Sequence, residues 1–109
     1  MSEPAPLYTD AFQLSAWLLQ HLDSDPRVLA RAICQRALRL LAMITLALKD
    51  RDRLASLDSA DENLIVLRVE LRLAAAIGVF TEDQLLHALG YADCIGRQLG
   101  GWQRSLATS

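Results

Sequence analysis

The chain has 109 residues, enough for one domain, and 52% of them are apolar before its five glycines are counted, against roughly 45–50% with glycine included in an average soluble domain. A domain this small withdraws only about two-thirds of its unfolded surface from water, so part of the apolar load is expected to be covered by another chain. Eleven basic and thirteen acidic residues leave a net charge of −2, which disfavours a simple polybasic nucleic-acid binder and leaves room for a local basic face.

Residues 1–8 read as a flexible tail before a four-helix bundle spanning 9–107, with helices at about 10–22, 26–52, 60–77 and 82–106. Asp10 with Gln13 marks the first start, and Asp23-Ser24-Asp25-Pro26 breaks the helix after Leu22. Asp25 is placed to cap the second helix, with Pro26 in its first turn. Leu29, Ile33, Ala37, Leu40, Ile44 and Leu48 then recur on one face, and the helix weakens in Lys49-Asp50-Arg51-Asp52-Arg53. Ser59 with Glu62 looks like a capping box for the third helix, which stops at Gly78. Thr81 with Gln84 forms another box, and Phe80 and Leu85 form a hydrophobic staple. Leu85, Ala88, Ala92, Ile95, Leu99, Trp102 and Leu106 carry a heptad seam through the fourth helix. No alternating run competes for a strand, so the fold expected is all-α, an antiparallel up-down-up-down bundle.

The third helix departs from a simple stripe. Leu64, Leu67, Leu71 and Ala74 mark one face, but Ile65, Val66, Val69 and Leu73 make much of the remaining circumference apolar. Ile65, Val69 and Leu73 are therefore candidates for a subunit contact.

The residue types that carry catalysis are sparse. His21 and His87 have no metal-ligand spacing and no nucleophile pattern beside them, and no HExxH, GxSxG or GxxxxGK motif occurs. Cys34 and Cys94 offer neither a disulfide framework nor a zinc cluster and read as packed, inert thiols of a reducing compartment. No catalytic residue, metal, cofactor or small-molecule substrate is expected. Met1 leads into Ser-Glu-Pro-Ala-Pro without the basic start and apolar run of a secretory leader, and no stretch has the ~18 apolar residues of a membrane span. The expected setting is the cytoplasm, with no membrane partner.

Two features remain. Gly96-Arg97-Gln98-Leu99-Gly100-Gly101-Trp102 lies within the fourth helix, where each glycine costs about 1 kcal/mol relative to alanine, so Gly96, Gly100, Gly101 and Trp102 read as a place of close approach by a helix or a large side chain. The cations are ten arginines and a single lysine. Arg27, Arg31 and Arg39, with Gln35 between, form a stripe along the second helix with Arg36 beside it, and Arg68/Arg72 and Arg97/Arg104 form shorter same-face pairs. Arginine's planar fork suits phosphate and carboxylate alike, so this stripe fits either a nucleic-acid backbone or acidic groups of a neighbouring subunit.

Pro26-Arg27, the run from Val66 to Ala74, and above all Asp93 to Ser105 with its IGRxLGGW segment resemble a known four-helix-bundle family. It includes the accessory variability determinant of diversity-generating retroelements and proteins encoded in intervening sequences of bacterial 23S ribosomal RNA genes. The resemblance spans about residues 10–105. It implies a ring-shaped homopentamer that, in the retroelement members, binds nucleic acid through basic residues and associates with the element's reverse transcriptase, supporting mutagenic cDNA synthesis without catalysing it. The matching basic positions are Arg27, Arg68, Arg72, Arg97 and Arg104. Members are typically basic, and many carry phenylalanine where Asp25 stands here. The alternative expectation is a structural or protein-interaction oligomer that binds no nucleic acid.

Overall fold

A computed structural model describes residues 4–107, which form four helices: α1 (Pro4–Leu22), α2 (Val28–Leu48), α3 (Arg53–Ala76) and α4 (Glu82–Ala107). No strand occurs among the described residues. Each helix packs closely on two others, in the cycle α1–α2–α3–α4, and the backbones of the diagonal pairs lie farther apart. Short links between long neighbouring helices make the bundle antiparallel, with extents of 45 × 20 × 20 Å.

The core comes from stepwise repeats on each helix. Leu7, Ala11, Leu14, Leu18 and Leu22 line α1, and Ala30, Ile33, Ala37, Leu40, Ile44 and Ala47 line α2. Leu57, Ala60, Leu64, Leu67, Leu71 and Ala74 line α3, and Leu85, Ala88, Ala92, Ile95 and Leu99 line α4. Steps of three and four keep one stripe inward, and alanines facing larger aliphatic side chains let the layers interdigitate.

Several boundaries differ from the sequence expectation. The first helix begins at Pro4 rather than near Asp10, because Leu7 and Ala11 extend the buried stripe upstream. Asp10 is thus internal to α1, and its carboxylate accepts a hydrogen bond from Gln98 Nε2 of α4 at 2.8 Å. Of the expected tail, residues 1–3 lie outside the described residues. At the start of α2 the N-cap is Arg27, with Pro26 just outside the helix. Asp25 accepts the Arg27 backbone N–H at 2.9 Å, an Asx turn that sets the chain up for the helix.

The α2–α3 turn also moves. It occupies residues 49–52, with Asp50 (φ 59°) and Asp52 (φ 45°) both left-handed, a conformation aspartate tolerates better than most residues. Ser59 therefore lies inside α3 instead of capping it, and burial of Leu57 and Ala60 explains why the helix begins earlier. The end of α3 and the start of α4 follow their local signals. Gly78 (φ 81°) takes the left-handed position after α3, and Thr81 and Gln84 close a reciprocal capping box with bonds of 2.8 and 3.1 Å. No helix among the described residues is long and apolar enough to cross a membrane.

Candidate subunit and nucleic-acid interface

In the cyclic arrangement α3 meets α2 on one side and α4 on the other, so the side away from the core has no neighbour within the chain. Ile65 is 57% exposed there, Val69 60% and Leu73 48%, with Val66 and Ile77 beside them. Burial of α3 on more than one side, as its composition leads one to expect, is not met by a single copy. A contiguous apolar surface is left on its outer face.

An ion pair borders this face on each side. Toward α2, Arg36 donates to both Glu70 carboxylate oxygens at 3.1 and 3.2 Å and to Asn63 Oδ1 at 3.2 Å. Asn63 is buried and donates in turn to the Ser59 carbonyl at 2.8 Å. Toward α4, Arg68 pairs with Asp93 and donates to the Ala92 carbonyl at 3.2 Å. Arg36 thus turns away from the basic stripe into the α2–α3 seam, because Glu70 and Asn63 need a donor there.

The glycine run has a side-chain explanation. A Cβ at Gly96 would lie 2.7 Å from Arg68 Nη2, so the glycine makes room for a guanidinium from the neighbouring helix. The result is a shallow depression lined by Asp61, Leu64, Ile65, Arg68, Asp93, Gly96 and Arg97. At Gly100 and Gly101 the nearest such atoms belong to Arg104, at 3.2 and 3.9 Å, which folds back along its own helix. Trp102 packs on the core of its own chain, and the Arg53 guanidinium sits 5.2 Å from its ring centroid.

The remaining candidate arginines divide by partner. Arg27 is held by Asp25 through Nε at 3.0 Å and Nη2 at 2.7 Å. The side-chain hydrogen bonds from Arg27, then its backbone N–H, hold the Asp25 carboxyl down at about 2. Arg31 and Arg39 on α2 and Arg72 on α3 are exposed, and their guanidinium groups have no bonding partner among the described residues. Arg97 is exposed, with Nη2 3.5 Å from Cys94 Sγ. The α2 stripe therefore presents Arg31, Gln35 and Arg39 to solvent, continued by exposed Leu38 and Leu46.

One grouping escaped the sequence reading. Trp17 of α1 packs with tilted rings against His21 (centroids 4.2 Å apart), His87 (4.9 Å) and Phe80 (5.5 Å), and His87 meets Tyr91 edge-on at 5.4 Å. The i, i+4 spacings of Trp17/His21 and His87/Tyr91 hint at two local pairs. Only the α1–α4 packing joins them. Among the described residues no three His, Cys, Asp or Glu side chains gather in a metal-binding arrangement. Cys34 is buried, which pushes its thiol pKa up and keeps it protonated.

Comparison with known proteins places these features in one family. The family described as bAvd-like matches residues 12–106, which takes in α1 from Phe12 onward, all of α2 and α3, and α4 as far as Leu106 with the whole Gly96–Trp102 run. No curated protein and no solved structure matches the chain. On that match the chain belongs to the bAvd-like family, that of the accessory variability determinant.

Proposed function

We propose that this protein is a non-enzymatic accessory component of a diversity-generating retroelement, acting in the cytoplasm as a homo-oligomer, a ring of five as the family resemblance implies. The outer face of α3, centred on Ile65, Val69 and Leu73, makes the subunit contact. The exposed guanidinium groups of Arg31, Arg39, Arg72 and Arg97 contact nucleic-acid phosphates, and the element's reverse transcriptase is the protein partner. The observation that carries this reading is the uncovered apolar face of α3, since a chain with no partner has little reason to keep two β-branched side chains more than half exposed at Ile65 and Val69.

The binding half is tested by measuring affinity for a labelled DNA duplex across a salt series. Affinity should fall as salt rises, and replacing Arg31 and Arg39 together with alanine should flatten the logarithmic slope by about 0.9 for each phosphate no longer neutralised. Absence of binding at low salt contradicts it.

A second reading is favoured by the matching of Arg27, Arg36 and Arg68 with carboxylates and by the net charge of −2. Here the protein is a structural oligomer whose exposed arginines touch the neighbouring copy. The same double substitution then dissociates the oligomer, whereas an intact oligomer with weakened duplex binding supports the first reading.

A further inference from the structure

We infer that Asp25 and Asp93 are built-in competing anions, each filling on Arg27 or Arg68 the place that a nucleic-acid phosphate would take, so that the chain holds part of its arginine surface closed. This rests on the nucleic-acid reading above and adds a restraint on that same surface. A carboxylate and a phosphate both present paired oxygens to the planar guanidinium fork, so they compete for one geometry. At Arg27 the Nε/Nη2 edge of the fork is filled by both carboxylate oxygens, Nε to Oδ1 at 3.0 Å and Nη2 to Oδ2 at 2.7 Å. The backbone N–H of Arg27, 2.9 Å from Oδ1, holds the acid in place.

Both pairs lie where a phosphate can reach. The Arg27 side chain is 49% exposed, and Arg68, 28% exposed, opens to solvent on the side where the 56% exposed Asp93 meets it. Arg68 keeps an anchor of its own in the Ala92 carbonyl and the space over Gly96, so neutralising Asp93 opens Nη1 without setting the arginine adrift. The Arg36–Glu70 pair differs, because its arginine also satisfies buried Asn63. An ion pair as open as that of Asp93 adds little to stability, and the turn role of Asp25 needs only the oxygen that accepts the Arg27 N–H. Asp25 stays ionised down to about pH 2, so its hold on Arg27 is not gated by pH.

The test compares the full chain with Asp25→Asn, Asp93→Asn and, as a control for net charge, Asp23→Asn, whose side chain has no bonding partner among the described residues. Asparagine at 25 keeps the oxygen that accepts the Arg27 N–H, so the turn survives, and helical circular dichroism verifies folding of each variant. Affinity for a labelled DNA duplex is read at rising salt. Each of the first two variants is expected to bind more tightly at low salt and to steepen the logarithmic salt slope by about 0.9. It then loses about 3-fold more affinity than the parent between about 50 and 200 mM salt. The control keeps the parent slope. If the parent binds and both variants keep its slope, or if Asp23→Asn steepens it equally, the inference is overturned while nucleic-acid binding stands. If neither the parent nor the variants hold the duplex, both fall together.

Discussion

Gly96 and Gly90 sit in the same helix for different reasons. Nothing lies within 4 Å of a Cβ built at Gly90, whereas at Gly96 that atom meets the Arg68 guanidinium. Gly90→Ala should therefore stabilise the chain by about 1 kcal/mol through helix propensity alone, raising the melting midpoint by several degrees. Gly96→Ala should fall about 1 kcal/mol or more short of that gain, because the arginine must leave its bonds to Ala92 and Asp93. Equal melting shifts would contradict the assignment. The glycine run is conspicuous in the sequence because three glycines interrupt a heptad. Its occupant is not, because Arg68 lies on another helix and only the α3–α4 register brings it there.

Asp25 gives a second test. Its carboxyl titrates near 2 in the folded chain against an ordinary 3.8. The ion pair with Arg27 is thus complete above about pH 4 and is lost as pH falls through about 2. Following the carboxyl resonance by NMR should show that low midpoint, and Arg27→Ala should raise it part of the way to the ordinary value, the backbone N–H at position 27 still holding it down. A midpoint unmoved by the substitution would refute the cause given for it.

Among elements, α3 carries the most varied duties. Its inner face is core, its flanks hold Arg68, Asn63 and Glu70 in polar seams, and its outer face is apolar and uncovered. Arg36→Ala removes the donor that serves Glu70 and buried Asn63, so it should destabilise the chain by about 1–3 kcal/mol. Arg31→Ala, on the same helix but facing solvent, should stay within about 0.5 kcal/mol of the parent. Urea unfolding midpoints measure both, and equal losses would show that Arg36 is a surface group after all. The contrast between these two arginines is invisible in the sequence, where they sit five residues apart on one basic helix.

Element boundaries were legible where the signal was local and misleading where packing overrode it. Thr81 and Gln84 cap α4 because the three-residue spacing itself closes both hydrogen bonds. Ser59 and Glu62 have the same spacing, yet α3 had already begun at Arg53, since two left-handed aspartates turn the chain early enough for Leu57 and Ala60 to reach the core. Likewise Leu7 draws α1 back toward Pro4, past the plausible cap at Asp10.

For the whole molecule, four apolar stripes at steps of three and four are enough to specify a closed cycle of antiparallel helices, and that much was readable from spacing alone. The cycle also fixes which residues lie outside it. Ile65, Val69 and Leu73 are apolar, exposed and contiguous along one outer face, so copies of the chain are expected to associate there, and the proposed ring depends on it. Sedimentation velocity at micromolar concentration reads this association without intermediaries, comparing the parent with a triple variant carrying Ile65→Ser, Val69→Ser and Leu73→Ser. The parent should sediment as a multiple of the 12.1 kDa chain, and the variant as a folded single chain with its helical spectrum retained. A parent that sediments as one well-folded 12.1 kDa molecule would overturn the assignment of α3 as a subunit face.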